Sequence, residues 1–384
     1  MNVWFVEAIW LYFYRLFMND AQIGILDATA FAVGLIAEIP SGALADRFGR
    51  SKIVKLGIVL AAVGIAGQAF GGFSVILFFQ SLAMIGFAFM SGADEALFFE
   101  KLRFKKDSVE WRKLMTRAGQ VAYTSAIIGI PLGSVIYGLN HESAFILNGA
   151  VMLASGLALL NIRDVAKKGS MQSHGFRESF HEYISDIANG FRAFRAPRLK
   201  LYIPIIIVAQ GLLYIFSWGL LKLVLMDRFG YSEQFGGILM SIGGIIVIII
   251  LHVMNRYAER LHEKRIISLL SMSLVWALFT AIPGIPVIGL AVIVILYAAD
   301  GILYPFISEV LHKHASDENR ATVVSVASFL KTVPYVVMAP LIGWLNSIGR
   351  LDIFLVSWAI LIVIAWLYYA TQKKRDTILH VDFE

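Results

Sequence analysis

Long apolar stretches recur along the whole chain, near residues 2–17, 23–44, 56–72, 73–99, 118–139, 143–161, 201–225, 234–254, 266–283, 286–311, 321–346 and 351–371. Each approaches the roughly 20 residues that carry a helix across a hydrocarbon layer about 30 Å thick. In lipid, a backbone group must find its partner within its own segment, so these runs must be helices. They are too long and too evenly apolar for the alternating strands of a barrel. The pattern predicts an all-α membrane protein with twelve transmembrane helices. The first span is short: no Lys or Arg precedes it, and Glu7 interrupts it, which argues against a cleaved signal. Either the true start lies upstream, or this helix begins at the very edge of the bilayer.

The polar segments then set the orientation. Of the 33 Lys and Arg residues, 28 fall in segments 45–55, 100–117, 162–200, 255–265 and 312–320 and in the tail from 372. Arg228 and Arg350 fall on the other side, with Arg15 beside them. Positive residues collect on the cytoplasmic side, which predicts both termini and the long central loop inside the cell. Composition agrees: 58% of residues are apolar and 16% charged, against about 45–50% and 25% in soluble domains. The net charge of +6 lies in short loops and forms no stripe on a soluble helix, so nucleic acid is not the expected partner. With no cysteine, thiolate chemistry and disulfides are excluded.

Residues 162–200 separate two sets of six spans whose local patterns recur in order. Gln22-Ile23-Gly24 returns as Gln234-Phe235-Gly236, and Ala45-Asp46-Arg47-Phe48 as Ala258-Glu259-Arg260-Leu261. Ala93-Asp94 returns as Ala299-Asp300, and Arg117-Ala118 as Arg320-Ala321. The order argues for a duplicated unit, the architecture of transporters whose halves rock about a site. The expected organisation is a six-helix bundle at 1–161, a linker at 162–200, a second bundle at 201–371 and a tail at 372–384. Within the linker, Phe176, Phe180, Ile184, Ile187, Phe191 and Phe194 form a helical stripe that predicts an amphipathic helix on the inner leaflet or a spacer between halves.

The loop after the second span reads Gly42-Ala-Leu-Ala-Asp46-Arg47-Phe-Gly49-Arg50-Ser-Lys52. It resembles the G-x-L-A-D-R-F-G-R-[KR]-[KR] signature of the major facilitator superfamily, departing from it only at Ser51, and the twelve spans extend the resemblance over the whole chain. Physically, Gly42 allows close helix packing and Gly49 a tight turn after a helix end. The resemblance implies a gate: Asp46 meets the start of the eleventh span, and Arg50 pairs with an acid at the inner end of the fourth, for which Glu100 is the candidate. It also implies two pseudo-symmetric bundles, alternating access, and a central cavity lined by spans one, four, seven and ten. The arginine common in span four of drug-exporting proton antiporters is missing between Phe73 and Phe99, and Gly129-Ile-Pro131-Leu-Gly133-Ser matches their fifth-span element poorly.

Ionisable residues inside spans are costly and mark candidate function. Candidate proton or substrate sites are Asp94, Glu95, Asp300, Lys331, Asp27, Glu38 and Lys222. Asp300 and Lys331 lie at similar depth on spans ten and eleven, where they would pair. Of the adjacent acids Asp94 and Glu95, about 100° apart on a helix, one faces any cavity, and Asp94 is favoured because its repeat mate is Asp300. Asp27 pairs with Arg15 or stands as a functional acid, and Glu38, before Pro40, suits a conformational role. Lys222 either snorkels to the interface or serves a site. Gln80, Gln210, Tyr214, Trp218, Tyr297, Tyr304 and Tyr335 are candidate cavity lining.

These features predict a secondary active transporter of the bacterial cytoplasmic (inner) membrane, working as a monomer on a small-molecule substrate. No P-loop is present, so an ion gradient, with protons the expected ion, supplies the energy. Export of amphipathic compounds leads. Uptake or exchange of a polar or anionic metabolite stands beside it on Lys222 and Lys331, and a non-transporting receptor is the reading from another class. No nucleophile, metal cluster or acid-base set has the spacing of an enzyme, and neither cofactor nor metal is expected. His252, His262, His312 and His314 lie near cytoplasmic ends, as solvated residues do.

Overall fold

A computed structural model of the chain describes residues 4–91, 108–159, 192, 194, 196–257, 263–315 and 320–381. Among them every regular element is helical. Nine helices among the described residues are long and apolar enough to cross a membrane, and a bent pair makes a tenth. The chain divides into two compact units: Met1–Ile184 with Glu233–Ser241, and Ser185–Ser232 with Ile242–Glu384.

In the first unit, the expected span at 2–17 contains only a five-residue α-helix, α1 (Trp10–Tyr14), within a run of turns. Backbone bonds from Trp10 N to Val6 O through Met18 N to Tyr14 O keep the segment coiled. Asn19 then starts α2 (Asp20–Phe48) with a capping box, its side chain accepting from Gln22 N while the Gln22 side chain accepts from Asn19 N. The box satisfies two backbone donors that a helix start leaves open. One residue, Gly49, separates α2 from α3 (Arg50–Gly67). At φ 99° it occupies a conformation glycine tolerates, so the tight turn expected there is present.

Against α3 packs α4 (Phe73–Met90), and small residues set the distance. A Cβ on Gly64 would lie 2.5 Å from Ala83 N, and one on Gly57 2.7 Å from Gly86 O. Backbone meets backbone, the means by which helices associate where lipid removes the hydrophobic drive. On another face of α3, α6 (Ser143–Leu157) brings Gly149 against Ala62 O, 2.5 Å from where its Cβ would stand. The long α5 (Ser108–Leu139) contains Pro131, and a Cβ on Gly133 would collide with the Phe5 carbonyl. Ser241, which belongs to this unit, donates through Oγ to Ile127 O at 2.9 Å.

The second unit departs from expectation at the seventh span. The run at 201–225 is broken: a π-turn (Ile205–Gln210) leads into α7 (Gly211–Trp218), and α8 (Leu221–Arg228) turns away by 73°. The π-turn leaves Val208 O to accept from Trp358 Nε1 at 2.9 Å. At the break, Gly219 is required by space rather than by φ, since the Tyr335 ring fills the place of a Cβ. The long helices that follow are α9 (Glu233–Tyr257), whose residues up to Ser241 belong to the first unit, α10 (Glu263–Ala281), α11 (Pro286–His314), α12 (Arg320–Ser347) and α13 (Leu351–Val381).

Two clusters tie the helix ends of this unit. Glu263, in the first turn of α10, accepts from Tyr369 Oη at 2.6 Å and from Tyr202 Oη, and Tyr202 stacks on His314. At the other end of α10, Arg228 donates from Nε to Ala281 O at 3.0 Å and from Nη2 to Ile282 O, covering carbonyls that a helix end exposes.

Candidate functional site

Polar groups within the helices collect in each unit separately. In the second unit the centre is Asp300 on α11. Its Oδ2 accepts a bond from Ser217 Oγ at 2.8 Å. Ser217 ends the last full turn of α7 before the break, and its carbonyl accepts from Lys222 Nζ at 3.0 Å. Lys222 is 3% exposed, so it does not snorkel: the broken span folds its ammonium back over the carbonyl end of α7, where a cation is favoured. Asp300 therefore has a hydroxyl donor and two ammonium groups, Lys222 and Lys331, within electrostatic reach.

Lys331, on α12, does not close the ion pair with Asp300 that their depth suggested. Its Nζ lies over the ring of Tyr304, 4.3 Å from the centroid, and 5.8 Å from that of Tyr214. Such placement is worth about 0.5–2 kcal/mol, depending on desolvation. Tyr214 meets Tyr335 edge-on, and Tyr297 meets Phe216 edge-on. Tyr297 fits because it lies against Gly243, where a Cβ would stand about 2.5 Å from the ring. Gln210 is buried, with Nε2 3.5 Å from Leu303 O, whereas Trp218 and Tyr304 are exposed. Asp300, Lys331, Gln210, Tyr214, Tyr297, Tyr304 and Tyr335 thus belong to one helix set, joined by Ser217, which hydropathy alone does not single out. An exposed tyrosine, an ammonium over its face and a carboxyl nearby can hold a molecule with a flat apolar body and a polar end.

In the first unit, Tyr14 Oη donates to Gln68 Oε1 at 2.6 Å, and Gln68 Nε2 donates to Gln80 Oε1 at 2.8 Å and to Gly64 O at 3.1 Å. Gln80 is thus part of a buried network rather than isolated lining, and Tyr14 and Gln68 are members the sequence reading missed. Asp27, within electrostatic reach of Tyr14, is 4% exposed, and its Oδ2 has no hydrogen-bond partner among the described residues. The expected pairing with Arg15 does not occur. Arg15 forks onto Asp20 instead, at 2.7 and 2.8 Å.

Of the residues expected to form a gate, Gly49 makes the α2–α3 turn and Arg50 begins α3. Gly42, Asp46 and Arg47 lie within the span of α2, their side chains outside the described residues, as are Glu100, Asp94 and Glu95. Glu38 is exposed on α2, and its carbonyl accepts from Ser41 Oγ at 2.7 Å. The amphipathic stripe from Phe176 lies outside the described residues except for Phe194, which is buried. Among the described residues no group of three His, Asp or Glu has the geometry of a metal site.

Many membrane-spanning helices in two units, with charged groups held inside them, define a polytopic membrane transporter. The profile of the Major Facilitator Superfamily matches residues 2–335, and the chain belongs to that family. It is similar to the uncharacterised MFS-type transporter YxaM of Bacillus subtilis (strain 168), 23% identical over 373 residues that cover 94% of this chain and 90% of that one. It is also similar to Multidrug resistance protein 2 of the same organism, 23% identical over 265 residues, or 66% of this chain and 62% of that one. Among solved structures, the nucleoside transporter NupG matches with TM-score 0.71 at 13% identity over 96% of this chain and 93% of its own. A peptide transporter POT in complex with sulfate matches with TM-score 0.72 at 16% identity, over 96% and 91%. At these identities the structures establish the fold, which is shared by transporters of different solutes.

Proposed function

We propose that this chain is a proton-driven secondary transporter of the bacterial inner membrane that exports small amphipathic compounds by alternating access. The observation that carries this reading is the cluster in the second unit, where Ser217, Asp300 and Lys331 stand beside Tyr304 and Tyr214. Aromatic faces take up the apolar body of a solute, and the carboxyl and ammonium take up its polar end. The similarity to Multidrug resistance protein 2 supports export. In the same reading, residues 1–161 and 201–371 are the two bundles, 162–200 the linker and 372–384 the tail, with both termini cytoplasmic. Gly42, Asp46, Arg47, Gly49, Arg50 and Glu100 form the gate, and Asp94 is the first half's counterpart of Asp300.

A second reading, uptake or exchange of an anionic metabolite, is favoured by one specific observation. Lys331 holds its ammonium over the exposed ring of Tyr304. An ammonium so placed can take the carboxylate of a solute.

The test is flux in proteoliposomes under an imposed pH gradient, with a panel of amphipathic cations, neutral compounds and carboxylates. The wild type should accumulate amphipathic compounds in the direction set by the gradient, and Asp300→Asn should reduce the flux at least tenfold. Flux indifferent to the gradient would refute proton drive, and flux unchanged in both Asp300→Asn and Asp94→Asn would refute the site. Selective movement of carboxylates would establish the second reading instead.

A further inference from the structure

We infer that Asp27 is a proton-binding site of the first unit, through which this half of the transporter takes up and releases the driving ion. The inference rests on the proton-driven reading above. A carboxyl inside a membrane-spanning helix persists only with a partner or a function, since placing its charge there costs about 2.5–3.5 kcal/mol on insertion scales. Asp27 is 4% exposed, and its Oδ2 lacks a hydrogen-bond partner among the described residues. The cation nearest in sequence, Arg15, is turned onto Asp20 by the Asn19 capping box, which fixes where α2 begins.

The groups that act on Asp27 are of the wrong kind to hold an anion. Among the described residues the titratable ones are Glu7, which precedes α1, and Tyr14 on α1. The Tyr14 hydroxyl gives its proton to Gln68 Oε1 at 2.6 Å, so toward any other neighbour its oxygen can only accept. Gln68 in turn is fixed by Gln80 Oε1 and Gly64 O, which holds Tyr14 in that orientation. On α4, no residue from Phe73 to Met90 is titratable, and α6 carries none from Ser143 to Leu157. The basic residues of α3, Arg50, Lys52 and Lys55, occupy its first turns, whereas Gln68 follows its last residue, roughly 20 Å or more away along the axis. A buried carboxyl with an oxygen that accepts no hydrogen bond, and with a second carboxyl rather than a cation within electrostatic reach, has one inexpensive way to be satisfied. It binds a proton, which removes the charge and creates the donor that the surroundings lack.

The step conserves charge. A proton from water on one side of the membrane joins the Asp27 carboxylate to give the neutral acid, and the same O–H bond breaks to release it on the other side.

The test uses the whole chain reconstituted in lipid, and its first arm needs no transported solute. Infrared difference spectra between acid and alkaline pH report the carbonyl stretch of each carboxylic acid. A band from a protonated buried carboxyl should be present in the wild type, absent in Asp27→Asn and retained in Asp300→Asn. In proteoliposomes, Asp27→Asn should lose at least tenfold in pH-driven accumulation while keeping downhill exchange, and Asp27→Glu should recover part of the coupling. Equal thermal midpoints for wild type and Asp27→Asn separate loss of the proton site from loss of the fold. A band set unchanged by Asp27→Asn would overturn the inference, as would a band displaced by sodium at constant pH. Loss of the band in Asp27→Asn together with gradient-independent flux in the wild type would overturn the proton-driven reading while leaving Asp27 as the proton site.

Discussion

Gly86→Ala places one methyl group where α3 and α4 pack backbone to backbone. Its Cβ would stand 2.6 Å from Gly57 O and closer still to Ala61 N, far inside van der Waals contact. Neither neighbour is a flexible side-chain end, so the helices must part by about 1 Å before the methyl fits. A gap of that size forfeits a quarter to a half of the ~0.15 kcal/mol held by each heavy-atom pair, so some 40 pairs lose about 1.5–3 kcal/mol. Alanine returns about 1 kcal/mol through its higher helix propensity. The net loss is therefore about 0.5–2 kcal/mol, a fall of roughly 1–8 °C in thermal midpoint at the 2–4 °C per kcal/mol seen for domains of similar size. The assay is tryptophan-fluorescence melting of the protein in detergent, at one scan rate for all variants because membrane proteins unfold irreversibly. Gly138→Ala is the control: its Cβ would meet only the amide end of Gln234, at 3.1 Å, so it should melt at or slightly above wild type. If Gly86→Ala matched the wild type, or Gly138→Ala fell as far, backbone contact would not be what holds α3 to α4.

Three further substitutions probe the second unit. Ser217→Ala deletes the 2.8 Å bond to Asp300, and a hydrogen bond to a charged group is worth about 1.5–3 kcal/mol. Half-saturating substrate concentration should rise roughly tenfold or more in vesicle flux, and an unchanged value would show that the bond does not position Asp300. Lys222→Met keeps the length of the side chain but leaves Ser217 O without its 3.0 Å donor, so both melting temperature and flux should fall. Retention of both would refute the part given to this cation at the helix break. Glu263→Gln weakens the bonds from Tyr202 and Tyr369 because charge-assisted bonds are about twice as strong as neutral ones. It should lower the melting midpoint and leave substrate affinity as it was, and a selective change in affinity would assign Glu263 to transport instead.

The spans are legible in the sequence because a bilayer demands a simple quantity, about 20 apolar residues, and most of the runs have it. Gly49 is legible for a local reason, a glycine placed just past a helix end. The seventh span is not, because hydropathy averages over the break. Its signals are single residues, Ser217, Gly219 and Lys222, and the space that requires glycine at 219 is filled by Tyr335 on α12. Arg15 shows the same limit at short range. Asp20 and Asp27 are both within sequence reach, and the helix start fixed by Asn19 decides between them. Asp300 and Lys331 lie within electrostatic reach of one another, but third parties, Ser217 and Tyr304, determine which partner each one takes.

Asp300 has its repeat mate in Asp94 rather than in Asp27, and the two buried acids whose surroundings are described differ in kind. Asp27 has an oxygen with no hydrogen-bond partner among the described residues and a second carboxyl, Glu7, within electrostatic reach, whereas Asp300 has a hydroxyl donor and two ammonium groups within reach. The first arrangement suits a proton and the second a solute with a polar end, so substitutions at the two sites should act on different quantities. Ser217→Ala should raise the half-saturating concentration without changing how flux depends on the pH gradient, and Asp27→Asn should do the reverse. Because the two effects fall on different quantities, the double variant should show each within about 0.3–0.5 kcal/mol of its size in the single variant. A Ser217→Ala protein whose flux no longer followed the gradient would show that proton and solute compete for Asp300, and the division between the halves would fall.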